Sequence, residues 1–170
     1  NVIHAPGNSQ GTTYGLTQIK EWLKPQNEKP WALIHFNWGL HDLKHVDATT
    51  KANSNKPEDP PQADLGTYTA NLTTLTSALV ATGAQLIFAT TTPYPDGVSP
   101  FRDSADAARY NTAVRSVVSK YNITINDLHD FIAPQLGELQ LPKNVHFNKA
   151  GSEAMAREVA KAIVGKLAKP

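Results

Sequence analysis

Three short stretches hold the side chains that could do chemistry. The first is Gly7-Asn8-Ser9-Gln10-Gly11-Thr12. Small residues there allow backbone N–H groups to face an anion or a developing oxyanion, and the Ser9 hydroxyl lies among them. An ordinary turn between two elements has the same composition. The second is Phe36-Asn37-Trp38-Gly39-Leu40-His41-Asp42-Leu43-Lys44-His45. Two histidines four residues apart on a helix can share a zinc ion, with the acidic residue between them as base. Here that residue is Asp42, one methylene shorter than the Glu the zinc motif uses, and Gly39 stands where the helix should already be established. A polar loop with a hydrogen-bonded histidine fits the same residues. The third stretch is Pro142 to Ser152, with His146 just ahead of a helical pattern. An imidazole there can act as a general base, and Val145 and Phe147 on either side would pack inward and aim it. Asn148 or Gly151 helps to start the helix that follows.

The elements that must position these stretches follow from periodicity. Residues 1–5 read as a strand or strand end, and 6–13 as a loop. Leu16, Ile19, Trp22 and Leu23 share one face of a helix over 14–23, which Pro25 ends. The apolar run 31–36 reads as a strand covered on both faces. Residues 45–64, rich in Asn, Lys, Pro and Asp, read as a long surface loop. A helix over 65–82 stops at Gly83, and 84–90 is a second buried strand. A loop over 91–102 leads to a helix over 103–120 with Ala107, Tyr110, Ala113, Val114 and Val117 inward. A short strand over 122–126, a weaker helix over 128–136 and a terminal helix over 148–167 complete the chain. The terminal helix has Ala150, Met155, Val159, Ile163 and Leu167 on one side. Strand and helix alternate, so the fold class is α/β with a short, mostly parallel sheet. Ligands of such sheets bind beyond the carboxyl ends of the strands, where the first two stretches lie.

Composition narrows the function. The 170 residues match one domain of ~100–200 residues. With 40% hydrophobic and 18% charged residues, the chain can build a core and is not wholly disordered. Sixteen Lys and Arg against fifteen Asp and Glu leave a net charge of +1. That gives no electrostatic drive toward nucleic acid or an anionic membrane, and neither is expected as a partner. The absence of Cys removes disulfides, thiolate ligands and a cysteine nucleophile. No apolar run reaches the ~20 residues of a membrane span. The opening Asn1-Val2-Ile3-His4-Ala5-Pro6 shows no export-signal pattern, and the missing initial Met argues for a start further upstream.

The three stretches resemble the SGNH (GDSL-type) hydrolase superfamily, flavodoxin-like esterases and deacylases built on Ser, Gly, Asn and His blocks. The resemblance covers nearly the whole chain. Residues 34–45 are similar to a bacterial branch whose third block reads Gly-Leu-His-Asp, and residues 142–152 are similar to its fifth block. Thr90-Thr91-Thr92-Pro93 and Tyr110-Asn111 also resemble segments of that branch. The resemblance implies a single domain over 1–170 with a three-layer α/β/α sandwich and no cofactor. It implies the Gly7 N–H as oxyanion donor, His41 in place of the block-three Asn, and His146 as general base. Asn8, Asn37 and Trp38 would touch the substrate, a small-molecule or carbohydrate ester. Members of the branch often carry export signals, so a secreted or periplasmic site is the expectation.

Two departures matter. Lys143 stands where the fifth-block carboxylate belongs, so His146 needs another orienting group, a backbone carbonyl or Asn144. The Gly-Asp-Ser block and its central strand do not occur in these residues. A companion N-terminal fragment could supply that strand. The two flanking strands could pair directly, or a homo-oligomer could exchange a strand. Ser9, in an imperfect Gly-Asn-Ser echo, is the local candidate nucleophile. Ser99 is a second one, and Ser104, Ser116 and Ser152 fall on helices. Three functions remain open at this point. They are a serine ester hydrolase, a binding module with Trp22, Trp31 and Trp38 as sugar platforms, and a zinc hydrolase on His41 and His45.

Overall fold

Short apolar strands feed amphipathic helices throughout the computed structural model, which describes residues 1–25 and 29–168. The order is α1 (Thr12–Trp22), β1 (Leu33–Phe36), α2 (Leu65–Val80), β2 (Gln85–Ala89) and α3 (Asp106–Val118). It continues with β3 (Thr124–Asn126), α4 (Leu128–Ile132), α5 (Leu136–Leu139) and α6 (Lys149–Leu167). The sheet has the order β1-β2-β3 and both pairings are parallel, with Phe36 opposite Phe88 and Ala89 opposite Asn126. Parallel neighbours need long crossovers, and α2 and α3 provide them.

Local chemistry sets the helix ends. Asp64 accepts the Thr67 N–H to cap α2, and Asn148 accepts the Gly151 N–H to cap α6. The single helix expected over 128–136 is instead two short helices around a 3₁₀ turn at Ala133–Gln135. Pro134 has no N–H to continue an α-helical ladder.

Alternation along the strands divides the core. Phe36, Leu86, Phe88 and Ile123 pack with Tyr68, Leu72, Leu75 and Leu79 of α2, Tyr110, Val114 and Val117 of α3, and Ile19 of α1. The other face is covered by α6, which touches all three strands. Among the described residues of α6 only Gly151 is fully buried. Met155, Val159 and Ile163 are half-buried as the spacing predicts, whereas Ala150 and Leu167 stay exposed. The layers are those of an α/β/α fold with a short parallel sheet.

Two expectations need correction. Residues 1–5 form no strand, and Val2 is 97% exposed. Direct pairing of this segment with β1 therefore does not occur. Five residues ahead of Pro6, which lacks an N–H and restricts Ala5, bury too little apolar surface to hold an edge strand. Trp38 serves packing rather than sugar stacking. Trp38 is 4% exposed and stacks on Trp22 at 6.4 Å, and the Trp31 Nε1–H donates to the Leu23 carbonyl at 3.0 Å. A ring face covered by another ring is closed to a sugar.

The turn after β1 meets the turn after β2 at Gly39, where an added Cβ would lie 2.1 Å from Thr91 Oγ1. Gly39→Ala should therefore destabilise the protein by about 1–3 kcal/mol, read as a lower urea midpoint. An unchanged midpoint would show that this approach is not tight.

Candidate active site

The turn after β1 is tied to the start of α1 by one buried carboxylate. Asp42, fully buried, accepts the Thr12 N–H at 2.8 Å and the Thr12 hydroxyl at 2.6 Å through Oδ1. Its Oδ2 lies 3.1 Å from the same N–H. Thr12 opens α1, so the carboxylate satisfies a first-turn donor and faces the positive end of the helix dipole. Gly11 makes this possible: a Cβ there would lie 3.0 Å from Asp42 Oδ1 and 2.9 Å from Gln62 Nε2. The loop of residues 6–11 is thereby held against the turn of residues 39–44. Burial pushes the Asp42 carboxyl up from 3.8 to about 6, against the opposing effect of its hydrogen bonds from Thr12.

On the exposed side of this clamp, Asn8 meets His41. Asn8 Oδ1 accepts the Gln10 N–H at 2.9 Å, so the amide nitrogen is the atom 3.3 Å from His41 Nε2. His41 then accepts at Nε2 and carries its proton on Nδ1. Burial, followed by the charges of Lys44, Arg102 and His146, holds the His41 pKa below its ordinary value. Arg102 is buried, and its Nε–H donates to the Leu40 carbonyl at 2.9 Å. Among the described residues neither Lys44 nor Arg102 has a carboxylate ion-pair partner. The surroundings of His41 are cationic, and its neutral form is favoured.

His146 arrives from the far end of the chain. Its loop closes on itself through Leu141 N–H to the His146 carbonyl at 3.0 Å and Asn144 N–H to the Leu141 carbonyl at 3.2 Å. Lys143 at φ +49° makes the reversal. At the α6 end, Gly151 approaches the Leu139 carbonyl so closely that a Cβ would lie 2.6 Å from it. The imidazole is exposed, and its Nδ1 lies 2.8 Å from Asn144 Oδ1. His146 is near enough to His41 for its charge to act there.

The other expected site residues are placed less directly. Gly7 is exposed at φ +66°, and its N–H has no hydrogen-bond partner among the described residues. Ser9 is half-buried, and its Oγ has no hydrogen bond to His146 or to any other described group. Asn37 is exposed, and its amide donates to the Ala89 carbonyl at 2.7 Å, bridging the ends of β1 and β2. The zinc arrangement on His41 and His45 is not formed. Residues 40–43 make a turn rather than a helix, so the two rings do not share a helical face. His45 is buried edge-on against Phe101 at 4.7 Å, while His41 faces Asn8.

Sequence reasoning passed over Asp42 as a structural clamp and Arg102 as a source of charge. The signal for Asp42 was its place directly after His41. Arg102 had none, being brought to Leu40 only by the fold. A groove of ≈ 560 Å³ lies at the opposite, amino ends of β2 and β3, lined by Val80, Gly83, Tyr121 and Lys166 among others. It brings together no nucleophile and base.

The chain is similar in sequence to the GDSL-like lipase/acylhydrolase family, whose model matches residues 2–154. No curated protein matches it in sequence. In structure it is similar to the lipase/acylhydrolase from Enterococcus faecalis, with a TM-score of 0.70 and 18% identity over 92% of this chain and 72% of that one. It is similar to an acetyl xylan esterase, AlAXEase, with a TM-score of 0.73 and 14% identity over 96% and 81% of the two chains. It is also similar to Axe2, an acetylxylan esterase from Geobacillus stearothermophilus, with a TM-score of 0.68 and 16% identity over 96% and 70%.

Asp42 holds its proton more tightly in the folded than in the unfolded chain. Its contribution to stability is complete below about pH 3.8, declines as the pH rises, and is gone above about pH 6. The amount is on the order of 2–3 kcal/mol. Asp42→Asn removes this dependence. Urea midpoints at pH 4 and pH 7 should show the wild type losing stability relative to the variant as the pH rises. An equal difference at both values would refute the assignment.

Proposed function

The chain belongs to the GDSL-like lipase/acylhydrolase family, and we propose that it is a serine esterase or deacetylase for a short acyl ester or an O-acetyl carbohydrate. The observation that carries this reading is the 3.3 Å approach of the Asn8 amide to His41 Nε2, with His146 near enough for its charge to act on His41. These residues come from the tail of the chain, the turn after β1 and the loop before α1. Two of the similar structures are named as acetyl xylan esterases, which supports an O-acetyl carbohydrate as substrate.

In this reading a serine oxygen attacks the ester carbonyl while His146 Nε2 takes its proton. The oxyanion of the tetrahedral intermediate accepts from the Gly7 N–H and the His41 Nδ1–H. Collapse expels the alcohol, which regains the proton from His146. Water, deprotonated by the same imidazole, then attacks the acyl-enzyme; the imidazolium returns the proton to the leaving serine oxygen, and the carboxylate is released. Ser9 is the proposed nucleophile. Burial first, and then the cations around His41, favour its neutral form, and those cations add positive potential where the oxyanion develops. A second reading, a module of the same fold that binds an ester without cleaving it, is favoured by one observation: Ser9 Oγ makes no hydrogen bond to His146.

Hydrolysis of p-nitrophenyl acetate should fall by roughly 10²–10⁴-fold in His146→Ala, with folding retained. The wild-type rate should decline as the pH falls, because a protonated imidazole accepts no proton. A fluorophosphonate should label Ser9 in the wild type and leave Ser9→Ala unlabelled. Activity that survives His146→Ala would end the mechanism. Ligand binding without labelling or turnover would favour the binding module.

A further inference from the structure

We infer that Asn144 is the positioning residue of His146, placing the imidazole proton on Nδ1 and leaving the Nε2 lone pair free to accept a proton. The argument starts from a donor that cannot change its role. The backbone N–H of His146 points at one terminal atom of the Asn144 amide, 2.9 Å away. A backbone N–H only donates, so that atom is the carbonyl oxygen Oδ1. The same oxygen lies 2.8 Å from His146 Nδ1. An amide oxygen carries no proton, so Nδ1 must bear the one that joins them. In the neutral ring the lone pair then belongs to Nε2.

The loop maintains this arrangement without help from the substrate. The Leu141–His146 and Asn144–Leu141 backbone hydrogen bonds and the left-handed Lys143 set where Asn144 begins. Asn148, two residues beyond the imidazole, donates its N–H to the Leu139 carbonyl at 2.9 Å and its side-chain amide to the Glu138 carbonyl at 2.8 Å. The ring is therefore held by a segment anchored on both sides. Among the described residues no carboxylate bonds to His146. Asn144 supplies orientation and tautomer but no negative charge, so an imidazolium formed during a reaction is stabilised less than one beside a carboxylate.

The use of that lone pair in catalysis rests on the ester-hydrolase reading above; the tautomer does not. The test therefore reads the ring itself. In long-range ¹⁵N–¹H spectra of the full ¹⁵N-labelled chain, His146 should show a protonated Nδ1 and a bare Nε2 at high pH. Asn144→Ala should shift the ring toward the Nε2–H form. Asn144→Asp should keep the Nδ1–H form and move the pH midpoint of the ring resonances upward by about 1 unit, since a negative charge then faces the ring. A purely structural role for Asn144 would not produce that upward movement. In ester hydrolysis Asn144→Ala should lower kcat by about tenfold or more with little change in KM, and Asn144→Asp should restore most of it with the acid limb moved to higher pH. A wild-type ring with its proton on Nε2, or a tautomer unchanged in Asn144→Ala, would overturn the inference. A wild type with the stated tautomer but no ester turnover would instead remove the proposed function and leave this inference in place.

Discussion

The hydrogen bonds from Thr12 to the buried Asp42 carboxylate are the constraint on which the candidate site depends. They join two segments thirty residues apart and fix where the loop of residues 6–11 stands relative to the turn after β1. Unpaired, a buried carboxylate would cost several kcal/mol, and the first N–H groups of a helix would lack partners. Each need is met by the other. Gly11 and Gly39 are small for the same reason, since both stand where two turns approach too closely for a Cβ.

With those turns in place, the two imidazoles of the site receive their protons by one device used twice. In each case a backbone N–H, of Gln10 or of His146, orients an asparagine amide. At His41 the amide nitrogen then faces Nε2, and at His146 the amide oxygen faces Nδ1. Both rings carry the proton on Nδ1, yet they are prepared for different work. His41 has its Nε2 occupied, is half-buried among cations and can offer only a donor. His146 is exposed with its Nε2 open and can offer an acceptor. In the proposed mechanism such a donor and such an acceptor are the pair that acyl transfer needs.

The fold serves this placement economically. Three parallel strands suffice to set the turns after β1 and β2 side by side, and Asn37 and Thr91 hold those turns to their neighbours. Asn111 keeps the turn after β2 in place by accepting the Thr91 N–H at 2.9 Å and donating to the Thr91 carbonyl at 2.8 Å. On the opposite face α6 packs on all three strands, and its N-cap Asn148 follows directly on the His146 loop. The large groove at the amino ends of the strands shows that concavity alone does not mark a site.

By itself the sequence determined the α/β class, the three strands, the long helices and the family, because short apolar runs, helical spacing and the Gly-Leu-His-Asp stretch are local signals. It also singled out the stretches that hold His41, His146 and Asn8 as candidates for the proposed chemistry. It misread residues 1–5 as a strand, since an isolated Val-Ile pair looks the same whether or not a partner strand is there to pair with it. It read Trp38 as a surface for substrate, because aromatic residues in a core and in a binding cleft share one composition. Only the tertiary structure decided that Asp42 is a clamp, that Arg102 charges the surroundings of His41, and that Asn144 rather than a carboxylate faces His146. Those are relations between atoms brought together by folding. Hydrogen bonds act over about 3 Å, and no spacing along the chain reports which distant donors and acceptors will meet at that range.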